Sequence, residues 1–393
     1  MAVREITKGV YFVGAMHWDR RLFDELIPLP DGTSYNSYIV RGSEKTALID
    51  AVDPATISQL EENLKKLGIK KLDYVVSNHA EQDHSGGITW VLQEFPGTKV
   101  VTNEKCKSML MDLLPIPEKD FVVIKEGDTL ALGGKTLEFY MTPWVHWPET
   151  QSAFLKEDGV LFSCDFFGAH MATADIFDAE HFYRPAKRYF AEIMSPFRNN
   201  VRNNLQKVGK LDIKVICPSH GYIHKNPKPI MDAYGEWSSE NVKNEAVLAY
   251  VSMHDSTKKM AEYLREALIE RGVNVHFFNL TSADVGDLAM CLVDSATLIL
   301  GAPTVLAGLH PVAASTAYLA NALRPKTKFI SLITSFGWGE KASETVKGML
   351  GNFKAELLAP VIAKGYPKEA DFKELDRLAD EVAAKHKELG LIK

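Results

Sequence analysis

The feature that most constrains this chain is a short polar stretch, residues 77–87, that reads Ser-Asn-His-Ala-Glu-Gln-Asp-His-Ser-Gly-Gly. The run before it, residues 72–76, is rich in β-branched and aromatic side chains and predicts a buried strand. Polar side chains at the end of a strand lie where α/β proteins bind ligands. The stretch brings two imidazoles and two carboxylates together within six residues, namely His79, Glu81, Asp83 and His84.

The spacing within this stretch suits two metal ions. In extended backbone His79 and Glu81 point the same way because they are two residues apart, whereas the adjacent Asp83 and His84 diverge. We therefore expect the first pair to serve one ion and the second pair the other. Turn residues that only cap the next helix are the alternative. Four such groups directly after an apolar strand favour the metal site over that alternative.

Three later positions offer single ligand groups just past predicted strands. His146, Asp165 and His220 each follow an apolar run. A lone His beside a strand is more often a core or capping residue, but three such groups at strand ends strengthen the prediction. Asp165 is the expected bridge, because a carboxylate has two oxygens to offer. The predicted metal ligands are His79, Glu81, Asp83, His84, His146, Asp165 and His220.

Length and composition predict a folded protein of two to three domains. The chain has 393 residues, 46% hydrophobic and 24% charged, with a net charge of −6. It has no basic tract, which argues against nucleic-acid binding, and no apolar run near the ~20 residues that span a bilayer. Its N-terminus lacks the apolar core of a signal peptide. The four cysteines form no C-x-x-C pair, which argues against a built-in rubredoxin-type centre and fits a reducing cytoplasm.

The hydrophobic pattern changes near residues 235–245, where a polar segment, 237–244, predicts a linker. Before this segment, several strands with few long helices predict a layered α/β fold. After it, regular alternation of strands and helices predicts a doubly wound parallel sheet of flavodoxin type. We therefore expect one domain over residues 1–244 and a second over residues 245–393.

Three polar loops of the second domain, residues 252–257, 301–306 and 335–339, follow predicted strands. The first precedes a helix, so its hydroxyls and backbone N–H groups suit a phosphate monoester. It lacks the G-x-G-x-x-G and G-K-[ST] patterns, which disfavours NAD and ATP. In the third loop, Trp338 lies between two glycines and can cover a planar ring, the alternative being a plain core Trp. The loop residues predicted to contact such a cofactor are Ser252, Met253, His254, Asp255, Ser256, Thr257, Pro303, Thr304, Val305, Leu306, Ser335, Phe336, Gly337, Trp338 and Gly339.

The H-x-[EH]-x-D-H pattern of residues 79–84 resembles the metallo-β-lactamase superfamily, whose usual hydrolases carry a second His where this chain has Glu81. Mixed imidazole and carboxylate ligation suits iron or zinc, and this Glu favours iron. With the H-W-P run at His146, the P-S-H-G run at 218–221 and the three loops, nearly the whole chain resembles the flavodiiron proteins. The resemblance implies a metallo-β-lactamase-like αββα sandwich followed by a flavodoxin-like doubly wound sheet.

The resemblance also implies a function. It implies two non-haem irons, one FMN, and reduction of dioxygen to water or nitric oxide to nitrous oxide. The external electron donor would be rubredoxin, a flavoprotein reductase or reduced F420, and the assembly a head-to-tail homodimer or a dimer of dimers. Two alternatives stay open at this point: a dizinc hydrolase with an accessory flavodoxin-like domain, and an electron carrier without enzymatic activity.

Some residues depart from the family pattern or lie outside it. Glu149 stands where relatives often have Asp after H-W-P, and Asp255 adds a negative charge to the phosphate loop. His170 is a candidate neighbour of the metal ligands. His181 and His224 are expected at the surface.

Overall fold

The computed structural model describes residues 3–177 and 179–392. The chain divides into two compact units. The first comprises the residues up to Phe190 together with Phe197–Ser238, and the second comprises Ala191–Pro196 together with the residues from Ser239 onward. Within these described ranges, no helix is long and apolar enough to cross a membrane.

The first unit is built on two large sheets. In the described part of the chain, one has seven strands in the order β1-β2-β7-β8-β9-β10-β11 and the other has five in the order β12-β13-β14-β15-β16. Two short pairs, β3-β6 and β4-β5, lie outside them. The strand bounds are β1 (Arg4–Thr7), β2 (Val10–Phe12), β3 (Ala15–His17), β4 (Leu22–Phe23), β5 (Ile27–Pro28), β6 (Thr33–Tyr35), β7 (Tyr38–Arg41), β8 (Thr46–Ile49), β9 (Tyr74–Val76), β10 (Lys99–Asn103), β11 (Phe121–Ile124), β12 (Thr129–Ala131), β13 (Thr136–Met141), β14 (Gln151–Leu155), β15 (Val160–Cys164) and β16 (Val215–Pro218).

The α-helices of this unit connect the strands. Their bounds are α1 (Ile57–Lys66), α2 (Gln82–Ser85), α3 (Ile88–Glu94), α4 (Glu104–Leu113), α5 (Tyr183–Tyr189), α6 (Arg198–Val208) and α7 (Lys228–Ser238).

Alternation along the strands explains the layers. Tyr38 and Val40 of β7 join the core between the two sheets, whereas Ile39 faces the other way and packs with Leu60 and Leu64 of α1. The second sheet contributes its own alternate side chains, such as Phe139, to the shared core. The resulting sandwich of two sheets with helices outside them confirms the predicted αββα fold.

The second unit has one large sheet in the order β18-β17-β19-β21, with β22 and β23 both pairing with β21. All of these pairings are parallel, and only the short β20, among the strands described, runs antiparallel to its neighbour. The strands are β17 (Lys243–Tyr250), β18 (Asn274–Asn279), β19 (Ser295–Val305), β20 (Gly308–Leu309), β21 (Phe329–Phe336), β22 (Glu356–Leu357) and β23 (Val361–Lys364). The helices are α8 (Ser256–Glu270), α9 (Val285–Leu292), α10 (Pro311–Leu323), α11 (Ala342–Met349) and α12 (Glu369–Glu388).

Both faces of this sheet are covered. One core holds side chains of α8 and α12, such as Leu264 and Leu378, and the other holds side chains of α9, α10 and α11, such as Leu288 and Ala317. A parallel sheet whose strand order switches beside the first strand is the flavodoxin arrangement. The predicted doubly wound fold is confirmed.

The polar segment predicted as a linker is more ordered than its composition suggests. Trp237 and Ser238 end α7 and are fully buried. Lys243 and Asn244 begin β17. The Trp237 ring packs against Tyr234 at 5.4 Å and Phe190 at 5.5 Å, and this aromatic cluster extends the helix into the polar segment.

Candidate metal centre

The polar stretch after β9 is held in place by hydrogen bonds from its own side chains to its own backbone. The Ser77 hydroxyl donates to the carbonyl of His79 at 2.8 Å, and the Ser85 hydroxyl donates to the carbonyl of Ala80 at 2.7 Å. Asp83 and His84 belong to the one-turn helix α2, not to the extended turn that the spacing suggested. Both side chains nevertheless converge, because His84 Nε2 lies 3.3 Å from Asp83 Oδ1.

A first group of ligand atoms surrounds one oxygen of Asp165. His79 Nε2 lies 3.0 Å from Glu81 Oε2 and 3.5 Å from Asp165 Oδ2. His146 Nε2 lies 3.0 Å from the same Glu81 oxygen and 3.4 Å from the same Asp165 oxygen. Four side chains from three separate parts of the sequence therefore converge on one point.

A second group surrounds the other oxygen of Asp165. His84 Nε2 lies 3.0 Å from Asp165 Oδ1 and 3.3 Å from Asp83 Oδ1. His220 Nε2 lies 3.4 Å from Asp165 Oδ1 and 3.2 Å from Asp83 Oδ2. Asp165 thus presents Oδ2 to the first group and Oδ1 to the second, which is the arrangement a bridging carboxylate needs. The structure brings all seven predicted ligands together.

The spacing of these atoms fits two metal ions. Ligands about 2.0–2.2 Å from a metal are separated by about 3.0–3.5 Å in octahedral or tetrahedral geometry, which matches the range above. Both carboxylate oxygens of Asp83 and of Asp165 are buried without a hydrogen-bond partner, as are His84 Nε2 and His220 Nε2. Buried polar atoms in such number, facing one another, fit the donor set of bound cations.

A thiol also approaches the second group. The Cys164 sulfur lies near the ligand atoms of His84 and Asp165. Burial raises the pKa of this thiol well above its ordinary value, which disfavours the thiolate that a metal would bind. We therefore leave Cys164 out of the ligand set.

Two histidines are oriented through their second ring nitrogen. His79 Nδ1 lies 2.7 Å from Glu149 Oε1, which also accepts the backbone N–H of Ala80 at 3.1 Å. His220 Nδ1 donates to the carbonyl of Ser34 at 2.6 Å. When Nδ1 carries the proton, Nε2 keeps its lone pair for a metal. Glu149 and the Ser34 carbonyl therefore fix the ring orientation and tautomer of one histidine in each group.

The electrostatics of the two groups favour positive charge. Burial alone would lower the pKa of His146, but the neighbouring carboxylates of Asp165 and Glu81 outweigh it and raise this pKa to about 9. The pKa of His220 rises to about 10 in the same way, against burial, through Asp165 and Asp83. A site with these raised pKa values favours cations, and metal binding there would compete with protons.

Aromatic side chains close the second group from outside. The Phe23 ring of β4 lies 4.6 Å from the His170 ring, which lies 4.6 Å from the His220 ring and 4.8 Å from Tyr189. His170 is buried, and its Nδ1 pairs with the Thr33 hydroxyl at 3.0 Å. His170 is therefore a neighbour of the ligands.

One surface prediction is wrong. His224 is buried, its backbone N–H donates to the carbonyl of Ile216 at 2.9 Å, and burial lowers its pKa to about 4. The fold of residues 216–224 back on β16 carries this side chain inside. His181 is exposed, as expected.

The second unit has a separate cavity of about 210 Å³ at the carboxyl ends of its strands. It is lined by ten of the fifteen residues predicted to contact a planar phosphorylated cofactor, namely Ser252, Met253, His254, Ser256, Thr257, Pro303, Thr304, Ser335, Phe336 and Gly337. Gly365, which follows β23, also lines it and was not predicted, because its strand is too short to recognise in the sequence.

Five predicted contacts do not line this cavity: Asp255, Val305, Leu306, Trp338 and Gly339. Asp255 is exposed at the start of α8, so its charge can remain in solvent. Leu306 forms the turn of the β19–β20 hairpin and is 91% exposed. Trp338 is 73% exposed, so it is not the core Trp of the alternative interpretation.

The cavity has the groups that a phosphate monoester needs. The Ser252 hydroxyl is buried without a partner, as is that of Thr304. Thr257, in the first turn of the 15-residue helix α8, shares a hydrogen bond of 2.9 Å with the Ser335 hydroxyl. Hydroxyls beside a helix N-terminus bind phosphate, because the N–H groups and the helix dipole favour an anion.

Comparisons with known proteins agree with both units. Residues 33–221 match the model of the ODP family beta lactamase. The chain is 33% identical to the coenzyme F420H(2) oxidase of Methanothermobacter marburgensis, over 89% of this chain and 90% of that protein. It is 32% identical to the nitric oxide reductase of Moorella thermoacetica, over 97% and 98%.

Solved structures agree as well. The rubredoxin oxygen:oxidoreductase of Desulfovibrio gigas superposes with a TM-score of 0.94 at 28% identity and covers 98% of both chains. The flavodiiron protein of Giardia intestinalis superposes with a TM-score of 0.89 at 25% identity, over 98% of this chain and 96% of that one.

Proposed function

Because this chain belongs to the flavodiiron protein family, we propose that it reduces dioxygen to water, nitric oxide to nitrous oxide, or both. The observation that carries the proposal is the pair of ligand groups that share Asp165, in a chain whose second unit has a cavity suited to FMN. We assign a diiron centre to residues 1–244 and FMN to residues 245–393. When bound, the irons and FMN would supply the electron-transfer chemistry that gas reduction requires.

The chain's own residues would hold these groups. His79, Glu81 and His146 would bind the first iron. Asp83, His84 and His220 would bind the second, and Asp165 would offer an oxygen to each. Glu149 and the Ser34 carbonyl would keep Nε2 of His79 and His220 directed at the ions, since each occupies the opposite ring nitrogen. Phe23, with His170 behind it, would limit access of water to the second ion.

The hydrolase alternative is less well supported. Glu81 lies within 3.0 Å of two histidine nitrogens, where the usual hydrolases of the superfamily carry another His. Glu81 adds a second hard oxygen ligand to the first group, beside Asp165, and this favours iron over zinc. The named relatives are oxidoreductases, and a hydrolase has no use for the cofactor cavity of the second unit.

The phosphate of FMN would bind the loop before α8. Ser252, Ser256 and Thr257 would contact it, together with the N–H groups of the first helical turn. Trp338 and Leu306, both largely exposed, would flank the flavin ring from outside the cavity. These two side chains would therefore form a rim around the cavity.

The electron donor is proposed from the relatives' names and from the family resemblance. A coenzyme F420H(2) oxidase and a rubredoxin oxygen:oxidoreductase are both among the proteins that this chain resembles. We propose reduced F420, rubredoxin or a flavoprotein reductase as donor, in the cytoplasm. The four unpaired cysteines are consistent with a reducing compartment.

The deciding experiment is anaerobic turnover. Protein loaded with iron and FMN is supplied with each donor in turn, and consumption of dioxygen or nitric oxide is followed with gas electrodes. We expect iron near two and FMN near one per chain, with turnover of at least one gas. Zinc at two per chain without a flavin absorbance would contradict the proposal. Glu157→Gln, at an exposed position outside both ligand groups, is the matched control.

We further propose that the active unit is a head-to-tail homodimer, or a dimer of such dimers, in which electrons cross between chains. Each unit, taken alone, exposes large apolar side chains near its own cofactor residues: Trp18, Leu22 and Leu26 in the first, and Leu306 and Trp338 in the second. Exposed apolar clusters of this kind mark protein interfaces.

Mixing two inactive variants tests the homodimer. His79→Ala abolishes one metal group, and Trp338→Ala combined with Thr257→Val impairs the flavin site. The isolated heterodimer retains one intact pair of sites if the sites of different chains cooperate, and its activity should be near half that of the wild type. An inactive heterodimer with its intact sites fully loaded would contradict transfer between chains.

A further inference from the structure

His146 is the histidine ligand that the two ligand groups themselves hold least firmly. Its side chain is 13% exposed, whereas those of the other three histidine ligands are at most 1% exposed. Two of those three are fixed through Nδ1, but Nδ1 of His146 has no hydrogen-bond partner among the residues that the structure describes. His146 also lies in a loop, residues 142–150, between β13 and β14. Contacts outside the ligand groups must therefore hold its ring in place.

The helix α6 contacts the segment that leads into His146. Lys207 Nζ donates to the carbonyl of Met141, the last residue of β13, at 2.8 Å. Asn204 Nδ2 donates to the carbonyl of Pro143 at 2.9 Å. Asn204 is buried, and a buried amide is costly to leave without its partner, so this hydrogen bond resists movement of the loop. The start of the loop is therefore fixed to α6.

An aromatic stack continues this contact one residue closer to the ligand. Phe197, the residue before α6, stacks on Trp144 with ring centroids 5.6 Å apart and an angle of 24° between the ring planes. Positions 197, 204 and 207 follow the helical repeat, so they lie on one face of α6. From its C-terminal to its N-terminal end, this face contacts residues 141, 143 and 144 in order. We call Phe197, Asn204 and Lys207 the α6 clamp.

The backbone of Trp144 indicates that its ring is held there against a local cost. Its φ is +63°, in the left-handed region that suits glycine and disfavours bulky residues. Such conformations persist only where surrounding contacts hold them, and they cluster at functional sites. The N–H of Trp144 donates to the carbonyl of Trp147 at 2.7 Å, which closes a turn around Val145 and His146. The stacked ring and this turn connect the α6 clamp directly to the ligand.

The position of His146 decides the shape of the first ligand group. Its Nε2 atom lies 3.0 Å from Glu81 Oε2 and 3.4 Å from Asp165 Oδ2. Glu81 is also 13% exposed, so these two residues form the open side of the group. A displacement of the loop would move the imidazole away from the point on which the other ligands converge, because no hydrogen bond holds its second nitrogen.

We propose that the α6 clamp positions His146 for metal binding, acting through Trp144, and that it sets the metal affinity of the first ligand group. This inference rests on the proposed metal centre. The three clamp residues are positioning residues, because they act through the segment 141–144. If they only joined α6 to the sheet, their loss would weaken the fold without a selective effect on one metal ion.

The test is a cobalt(II) titration of the full chain after its metals have been removed, with an anaerobic iron titration beside it. Cobalt(II) absorption reports the geometry of each occupied site, and a competing chelator gives the affinity of each. Phe197→Ala and Trp144→Ala should each lower the affinity of the first site by about 10–100-fold, the loss typical of residues that orient a metal ligand. The second site has no ligand on this loop, so its affinity should change much less.

A double-mutant cycle and two control variants separate positioning from folding. Phe197→Ala and Trp144→Ala remove the two sides of one contact, so the double variant should lose little more affinity than either single variant. Trp144→Phe keeps a ring that can stack, and it should retain the wild-type affinity. Phe372→Ala removes a comparable ring pair in the second unit, with Tyr263 at 4.8 Å. It should lower stability in urea without changing cobalt affinity.

Trp144→Gly covers the case in which the alanine variants unfold, because glycine adopts this φ without strain. We expect it to remain folded and to lose affinity at the first site. Wild-type affinity at both sites in folded Trp144→Gly would overturn the inference, as would an equal loss at both sites. A wild type that binds cobalt but not iron would contradict the diiron proposal alone, and the cobalt affinities of the variants would still decide this inference.

Discussion

Glu149 offers a sharp test of how the metal ligands are oriented. Its Oε1 atom lies 2.7 Å from His79 Nδ1 and accepts the Ala80 N–H at 3.1 Å, and the side chain is fully buried. Replacing Glu149 with Ala removes both contacts at once, because the same oxygen makes them. His79 then loses the partner that fixes its tautomer, and one backbone N–H is left buried without an acceptor.

The magnitude follows from these two contacts. An unsatisfied buried donor costs about 1–3 kcal/mol, so the free energy of unfolding should fall by at least that amount. Losing the partner of a metal-binding His lowers metal affinity by about 10–100-fold, which is about 1.4–2.7 kcal/mol. Glu149→Gln keeps an oxygen for His79 but loses its charge, so we expect a smaller loss of affinity.

The assay is anaerobic competition with a chelator. Wild type, Glu149→Gln and Glu149→Ala are loaded with iron and titrated, and the iron retained per chain is measured. We expect the ion held by His79 to leave first, so that Glu149→Ala passes through a state with one iron per chain. Glu157→Gln is the matched control, because Glu157 also accepts a backbone N–H, that of Thr136 at 2.8 Å, but is exposed and belongs to neither ligand group.

One result would refute this reasoning. If Glu149→Ala holds both irons as tightly as the wild type while its unfolding free energy falls, Glu149 stabilises the fold without orienting His79.

Three further predictions concern the bridge, the flavin site and acid stability. Asp165→Ala should lose both irons, measured by metal analysis, because each group depends on one oxygen of this carboxylate; full retention of either ion would exclude the bridge. Thr257→Val should raise the dissociation constant for FMN by about tenfold, measured by flavin fluorescence, since it removes a phosphate-loop hydroxyl and leaves Ser335 without its partner. Burial lowers the pKa of His386 to about 4, and the neutral ring accepts from Thr297 and donates to Asn244, each at 2.8 Å. The unfolded chain therefore binds the extra proton below pH about 6.5, and stability in urea should fall between pH about 6.5 and 4; His386→Gln should flatten this dependence, and an unchanged slope would contradict it.

Much of the fold could be predicted from the sequence. Alternating and continuous apolar runs indicated the main strands, and the change of pattern near residue 240 indicated two different sheets. Helix α9 and the short strands β22 and β23 were not predicted, since segments this short have little periodicity of their own and form through contacts with the rest of the sheet. The helical position of Trp237 was not predicted either. Its polar neighbours indicate a linker, and only the aromatic cluster around it explains why the helix continues to this residue.

The sequence by itself determined which chemical groups are available for the candidate metal centre. Seven imidazoles and carboxylates follow apolar strands, and side chains at strand ends commonly form ligand sites, so their convergence was predictable. The structure shows that these strands belong to two sheets, β9 to one and β13, β15 and β16 to the other. Only the tertiary structure decided how they meet: Asp165 offers one oxygen to each group, and α2 turns Asp83 and His84 into the same group. It also supplied partners that no motif reveals, such as the Ser34 carbonyl and Glu149, because a hydrogen bond across 70 or 186 residues depends on where the backbone returns.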